Sequence, residues 1–294
     1  MAEQYFKELP KMHTTYANVI KSLIPIGDNR ATTLPELVYH VDGLVIDEHN
    51  LKEYRKICGF INDGRVPPTY FAVLSQTLQM NMMARPDFPF AMLGLVHLEN
   101  SVTQHRIIYD TETVTLTVSI GNLQSHDKGQ QFDFNMTATI DGELVWEGVS
   151  TYLSRQKKTN QERAEAKKAK SVEPVLRLEP DDNQWAELIN IPEDIGRRYA
   201  FVSGDFNLIH LHPLSARAFG FPKAIAHGMW SKAASIAQFH DLPRAYRVDV
   251  SFKTPIFLPS KIDFVARQET DGRSFALYAA GTDRPHLQGC ITFL

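Results

Sequence analysis

Cysteine is almost missing from this chain: Cys58 and Cys290 are the only two in 294 residues. Two cysteines so far apart make no disulfide framework and no CxxC metal cluster, and they suit a reducing cytoplasm, the expected location. Charge of one sign is also lacking. Lys and Arg number 31 against 34 Asp and Glu, a net charge of -3. No general basic field exists, so nucleic acid and membrane surfaces are excluded as expected partners. No run of about 18 apolar residues appears that could cross a membrane. The opening "MAEQYFKELP" has no apolar core of the signal-peptide kind, and the closing "GCITFL" is not a peroxisomal SKL address. Neither GxGxxG nor a P-loop occurs, so no nucleotide cofactor is expected.

What is present is ordinary globular composition, 43% hydrophobic and 22% charged, over a length that suits two domains. "RQKKTNQERAEAKKAK" (155–170) has no large apolar residue and cannot bury a core face. It marks a charged linker, taken as 155–190, between an N-terminal half (1–154) and a C-terminal half (191–294). The halves share an order of elements. "PPTYFAVLSQTLQMNMM" (67–83) reads as a helix followed by the strand-like segments "LVHLENSVTQHRII", "TVTLTVSIGNL", "QFDFNMTATI" and "ELVWEGVSTYLSR". "AIAHGMWSKAASIAQF" (224–239) reads as a second helix. "YRVDVSFKTPIFL", "KIDFVARQET", "RSFALYAAGT" and "LQGCITFL" follow it. Gly121, Asp141-Gly142 and Asp271-Gly272 punctuate the strands as turns, and the Asp-Gly pairs predict hairpins. In the second helix small residues surround the axis and Lys232 is the one certain ion, which predicts burial. A buried helix followed by four antiparallel strands predicts a sheet wrapped around a helix. The expected class is α+β, and two copies in one chain make a double hotdog.

The chemistry concentrates in "SGDFNLIHLHP" (203–213) and "IAHGM" (225–229). Asp205 and His210 form a candidate acid/base pair if the chain turns between them, and Gly204 and Asn207 favour a turn. "IAHGM" stands where the buried helix begins. Backbone N–H groups are free there, and Gly228 lets a carbonyl oxygen approach them. An acid/base pair beside an oxyanion donor suits addition of water across a bond conjugated to a carbonyl. Other readings compete. Asp205 and His210 are also residue types that merely cap loops. His210, His212 and His227 could ligate a metal, but no further partner stands at a recognised spacing, so no metal is expected. His227 is as readily a structural residue bonded to backbone as a participant. Met229, Trp230, Tyr199 and Phe201 read as core. Gly228 is read as leaving room for substrate.

The stretch "YAFVSGDFNLIHLHPLSARAFGFPKAIAHGMW" (199–230) resembles the signature of the MaoC-like (R)-specific enoyl-CoA hydratases, the hydratase 2 family. Ser203, Gly204, Asp205, Asn207, His210, Ala218, Gly220, Phe221, Ile225, His227, Gly228 and Met229 match, and "FKTPIFLP" (252–259) resembles the strand that follows. The resemblance implies hydration of a trans-2-enoyl thioester, or dehydration of a (3R)-hydroxyacyl thioester, carried on CoA or acyl carrier protein. It implies Asp205 and His210 as catalytic dyad and the Gly228 N–H as oxyanion donor. Ser203, Asn207 and His227 would support the site or the substrate. Leu208 replaces a usual proline and His212 a common acidic residue. The N-terminal half, with no such motif around "NDGRVPPTYF", is expected to be catalytically silent and to shape the acyl tunnel. The alternative function is a non-catalytic acyl-binding or assembly subunit. A hotdog thioesterase would need a helix carboxylate that 226–239 lacks. A homodimer is left open.

Overall fold

The structure is a computed structural model that describes residues 2–10, 33–92, 94–155 and 184–294. The charged stretch 155–170 therefore falls outside the described residues, apart from Arg155. The N-terminal half holds β1 (Ala2–Phe6), β2 (Leu37–Val45), α1 (Glu48–Cys58), α2 (Tyr70–Met83), β3 (Leu95–Gln104), β4 (Thr113–His126), β5 (Gly129–Ile140) and β6 (Glu143–Arg155). The C-terminal half holds β7 (Gln184–Ile191), α3 (Ile195–Ser203), α4 (Leu208–Leu211), α5 (Pro213–Ala218) and α6 (Gly228–Ile236). It continues with β8 (Tyr246–Phe252), β9 (Ser260–Glu269), β10 (Gly272–Ala279) and β11 (Pro285–Phe293).

Among the described residues, eleven strands form one sheet in the order β1-β2-β4-β5-β6-β3-β8-β11-β10-β9-β7. Read outward from the centre, β3-β6-β5-β4-β2 mirrors β8-β11-β10-β9-β7. In each half one strand precedes the long helix, one follows it, and a three-stranded meander fills the space between them. This is the expected α+β double hotdog, and the internal duplication shows in its topology. Two features depart from the sequence reading. Each half carries, ahead of its long helix, a strand that the hydrophobic pattern did not reveal, β2 in the first and β7 in the second, and β1 is a further strand at the edge. For the second, residues 184–190 of the expected linker are strand, because β7 pairs antiparallel with β9 along its length. All strand pairs are antiparallel except the edge pair β1–β2.

The turns follow local chemistry. Asp141 (φ 50°) and Gly142 (φ 82°) join β5 to β6 with two left-handed residues, the geometry that two-residue hairpins favour. At the other Asp-Gly pair the glycine is already in the strand, since Gly272 pairs with Glu269. A Cβ there would collide with the Ile291 carbonyl, so close backbone approach explains that glycine. Gly121 is not a turn. It lies inside β4 where the register shifts against β5, and the chain reverses between His126 and Gly129 instead.

The seam between the halves is the antiparallel pair β3–β8, running from Glu99 opposite Ser251 to Gln104 opposite Tyr246. One apolar core spans both halves, with Leu78, Phe134 and Trp146 on one side and Ala233, Phe264 and Leu287 on the other. α2 packs on β4 and β5. Helix α6 crosses toward the N-terminal half, where the Trp230 Nε1 donates to the Ile57 carbonyl at 3.1 Å. The start of α6 is thereby held at the junction of the halves.

Candidate active site

A cavity of about 440 Å³ opens at the N-terminus of α6. All six residues expected at the site line it: Ser203, Asp205, Asn207, His210, His227 and Gly228. Asp205 follows Gly204, whose left-handed backbone (φ 72°) ends α3 and turns the chain toward the cavity. The Asp205 N–H donates to Ser203 Oγ at 3.2 Å, and the Asn207 N–H donates to Asp205 Oδ1 at 3.2 Å. Asn207 thus supports the carboxylate through its backbone. Its side chain caps α4, accepting from the Ile209 N–H at 3.5 Å. His212 is turned to a similar task at α5, where Nδ1 accepts from the Leu214 N–H at 3.1 Å. Leu208, in place of the usual proline, is exposed.

His210 is buried, and its Nδ1 lies 2.8 Å from the Ile225 carbonyl. A carbonyl only accepts, so Nδ1 carries the proton and Nε2 of the neutral ring presents a lone pair. Burial lowers the His210 pKa from its ordinary value, with the Asp205 charge opposing. The imidazole therefore stays an unprotonated base at neutral pH. His227 is held in the same manner: Nε2 donates to the Asp205 backbone carbonyl at 2.9 Å. Burial first, and the neighbouring His210 second, push His227 down to about 3. Its 3.9 Å approach to the Asp205 carboxylate is accordingly no ion pair at neutral pH. The two imidazoles stack with centroids 3.6 Å apart at 25°. His227 thus touches both Asp205 and His210, the one through its backbone and the other through its ring face.

Asp205, His210 and His227 present ligand-capable atoms within 4.8 Å of one another. His212 is committed to its helix cap. The sequence's three-histidine grouping is therefore not assembled.

Gly228 is the first residue of α6, following His227 in extended conformation (φ -67°, ψ 137°). First-turn N–H groups have no partner within their own helix, so they and the dipole are available to an anion. The reason for glycine differs from the sequence reading. A Cβ at Gly228 meets the Phe252 ring at 3.0–3.3 Å, so the missing side chain makes room first for Phe252, which itself lines the cavity.

The N-terminal half builds the other wall. Ala72, Val73 and Gln76 from α2, His97 from β3 and Tyr152 from β6 line the cavity. His97 stacks between Tyr152 (4.5 Å, 13°) and Phe252 (4.9 Å, 50°), and burial pushes its pKa down to about 3. The sequence signal for these residues was weak, because they lie in ordinary amphipathic elements far from the motif. Met229 and Tyr199, read as core, also face the cavity, and Phe201 is 75% exposed.

Comparison with known proteins accords with this geometry. The family described as MaoC like domain matches residues 157–283. The curated protein 3-hydroxyacyl-thioester dehydratase X of Mycobacterium tuberculosis is 33% identical over 263 residues, 89% of this chain and 91% of that protein. The chain belongs to the MaoC-like dehydratases. A crystal structure of HtdX from M. tuberculosis covers 87% of this dehydratase and 100% of that chain, with a TM-score of 0.74 and 31% identity. A MaoC-like dehydratase from Phytophthora capsici shares the fold at 18% identity, with a TM-score of 0.68, 91% of this chain and 97% of that one covered. As a family member this dehydratase is a hydro-lyase. None of its described helices is long and apolar enough to cross a membrane.

Proposed function

We propose that this dehydratase interconverts a trans-2-enoyl thioester and a (3R)-hydroxyacyl thioester, with Asp205 and His210 as the dyad. The acyl group would be carried on CoA or acyl carrier protein. The observation that carries the reading is the tautomer of His210, fixed by Nδ1 on the Ile225 carbonyl, in a group where a ring nitrogen of His210, the Asp205 carboxylate and His227 lie within 4.8 Å of one another. In hydration, His210 Nε2 takes one proton from water as the water oxygen bonds to Cβ. Asp205 accepts a hydrogen bond from the other hydrogen, which stays on the product hydroxyl. Charge moves to the thioester oxygen, where the Gly228 N–H and the helix dipole stabilise it. The dyad then returns a proton to Cα, the C=C bond is consumed, and water is added with no net proton change. Dehydration is the reverse. No metal or cofactor enters these steps. The configuration at Cβ rests on the match of residues 199–230 to the (R)-specific signature. The name of the M. tuberculosis relative supports a thioester substrate.

The same reading makes the N-terminal half catalytically silent. Thr69 and Tyr70 stand at the start of α2 where His227 and Gly228 stand at the start of α6. Both are buried and committed: Tyr54 donates to Thr69 at 2.7 Å, and Tyr70 donates to Asn50 at 2.8 Å. Pro67 and Pro68 precede them and offer no backbone donor. The cavity at that end is about 130 Å³. The half serves instead as a wall of the acyl tunnel.

Absorbance of an enoyl thioester with a free-thiol assay tests the reading. Loss of the enone band with the thioester intact, and chiral analysis giving the (3R) product, are expected. Release of thiol would indicate a thioesterase. Binding without change would indicate a non-catalytic acyl-binding subunit.

A further inference from the structure

Lys232 lies on α6 one helical turn beyond Gly228 and has no solvent exposure. Its Nζ has three acceptors: Asn100 Oδ1 at 2.6 Å, the Asn100 carbonyl at 2.9 Å and the Val248 carbonyl at 3.0 Å. Asn100 is on β3 and Val248 on β8, so the lysine bridges the two seam strands beneath the catalytic helix. The Asn100 carboxamide is oriented from its other end. Its Nδ2 donates to the Val149 carbonyl at 3.1 Å and to Ser150 Oγ at 3.0 Å, leaving Oδ1 toward Lys232.

Counting donors settles the protonation state. An ammonium has three N–H bonds for these three acceptors, whereas a free amine has two and would aim its lone pair at an oxygen. Burial works against the charge, and the three short hydrogen bonds hold it. All three hydrogen-bond acceptors are neutral, and Asp249, the carboxylate whose charge favours the ammonium, is already paired with Arg247. A neutral donor such as glutamine could stitch the seam without the several kcal/mol that burying an ion costs. The charge is also felt in the cavity, where it helps burial keep His97 unprotonated.

We propose that Lys232 is a positioning residue for the reaction: its buried ammonium reinforces the N-terminal field of α6 and so stabilises the thioester enolate oxygen at Gly228. This rests on the reading of α6 as the oxyanion helix. The charge is kept inside the protein, behind the backbone donors, where water does not screen it.

Asn100→Asp tests it in the full chain, because a carboxylate at that position keeps the Lys232 bonds and cancels the charge. Steady-state hydration of an enoyl thioester should show kcat about tenfold lower with KM within twofold, the effect of one unit charge in a partly screened interior. The melting temperature should fall, because the second carboxylate oxygen faces the Val149 carbonyl to which Asn100 Nδ2 donates, so kcat is read well below the variant's melting point. Lys232→Gln is the second variant, restoring neutral hydrogen bonds across the seam. It should lose kcat to the same degree, while Lys232→Met should lose both kcat and stability. Wild-type kcat in a folded Asn100→Asp or Lys232→Gln, or a change confined to KM, would overturn the proposal and leave Lys232 a seam contact. The oxyanion reading is tested apart from it. A Gly228→Val variant with normal kcat overturns that reading, whereas an impaired Gly228→Val beside a normal Asn100→Asp overturns the Lys232 proposal alone.

Discussion

Lowering the pH from 8 to 5 should destabilise this protein by about 4 kcal/mol through two histidines alone. His97 and His227 are both held neutral, each pushed down to about 3 and chiefly by burial. In the unfolded chain a histidine titrates near 6.5. Below that value the unfolded state binds a proton that the folded state refuses, so stability is complete above about 6.5 and falls as pH drops toward 3. Each imidazole approaches a loss of about 1.4 kcal/mol per pH unit, or about 2 kcal/mol by pH 5. Against a total stability of about 5–15 kcal/mol, the pair alone is a large fraction. Urea titrations followed by far-UV circular dichroism at several pH values measure the slope directly. His227→Phe keeps a ring stacked on His210 and removes one titrating group, so its slope over this range should fall by up to about 1.4 kcal/mol per pH unit. A midpoint that stays flat between pH 6.5 and 5 would refute the claim that these imidazoles are neutral in the folded state. An unchanged slope in His227→Phe would refute the assignment to His227.

Other outcomes follow from the same geometry. Asp205→Asn and His210→Ala should each lower turnover by at least about a hundredfold, the usual scale for a general acid/base group, with the fold kept; near-normal turnover in either variant removes the dyad. Gly228→Val should cost about 3 kcal/mol of transition-state stabilisation, and it should also lower the melting temperature because its Cβ presses on Phe252. Gly228→Ala is the milder control for that packing effect. Extended chelation should leave turnover intact. A large loss restored by zinc would show that Asp205, His210 and His227 hold a metal.

The candidate site was legible because its residues are close in sequence and of rare types in combination. Gly204, Asp205, Asn207, His210 and the His227-Gly228 pair stand in 203–229, and local turns and short helices suffice to gather them. The long helices and most strands were legible for a similar reason, since periodicity is a local property. The strands ahead of the long helices, β2 and β7, escaped notice, as did the edge strand β1. β2 is interrupted by Asp42-Gly43, and β7 alternates too weakly, with a largely exposed burial pattern. Gly121 misled because a bulge and a turn both select glycine.

Local patterns named the groups that could do the chemistry, the order of each long helix and the four strands after it, and through that order the duplication. Tertiary structure decided the state in which those groups work. The Ile225 carbonyl chooses the tautomer of His210, and burial at the seam keeps His97 and His227 neutral. A Cβ at Gly228 would press on Phe252, and Asn100 and Val248 supply the acceptors around Lys232 Nζ. Hydrogen-bond direction, proton affinity and cavity shape depend on atoms that meet only after distant strands pair. Here β3 and β8 bring the two halves together, and no local pattern in either half records what the other will place against it.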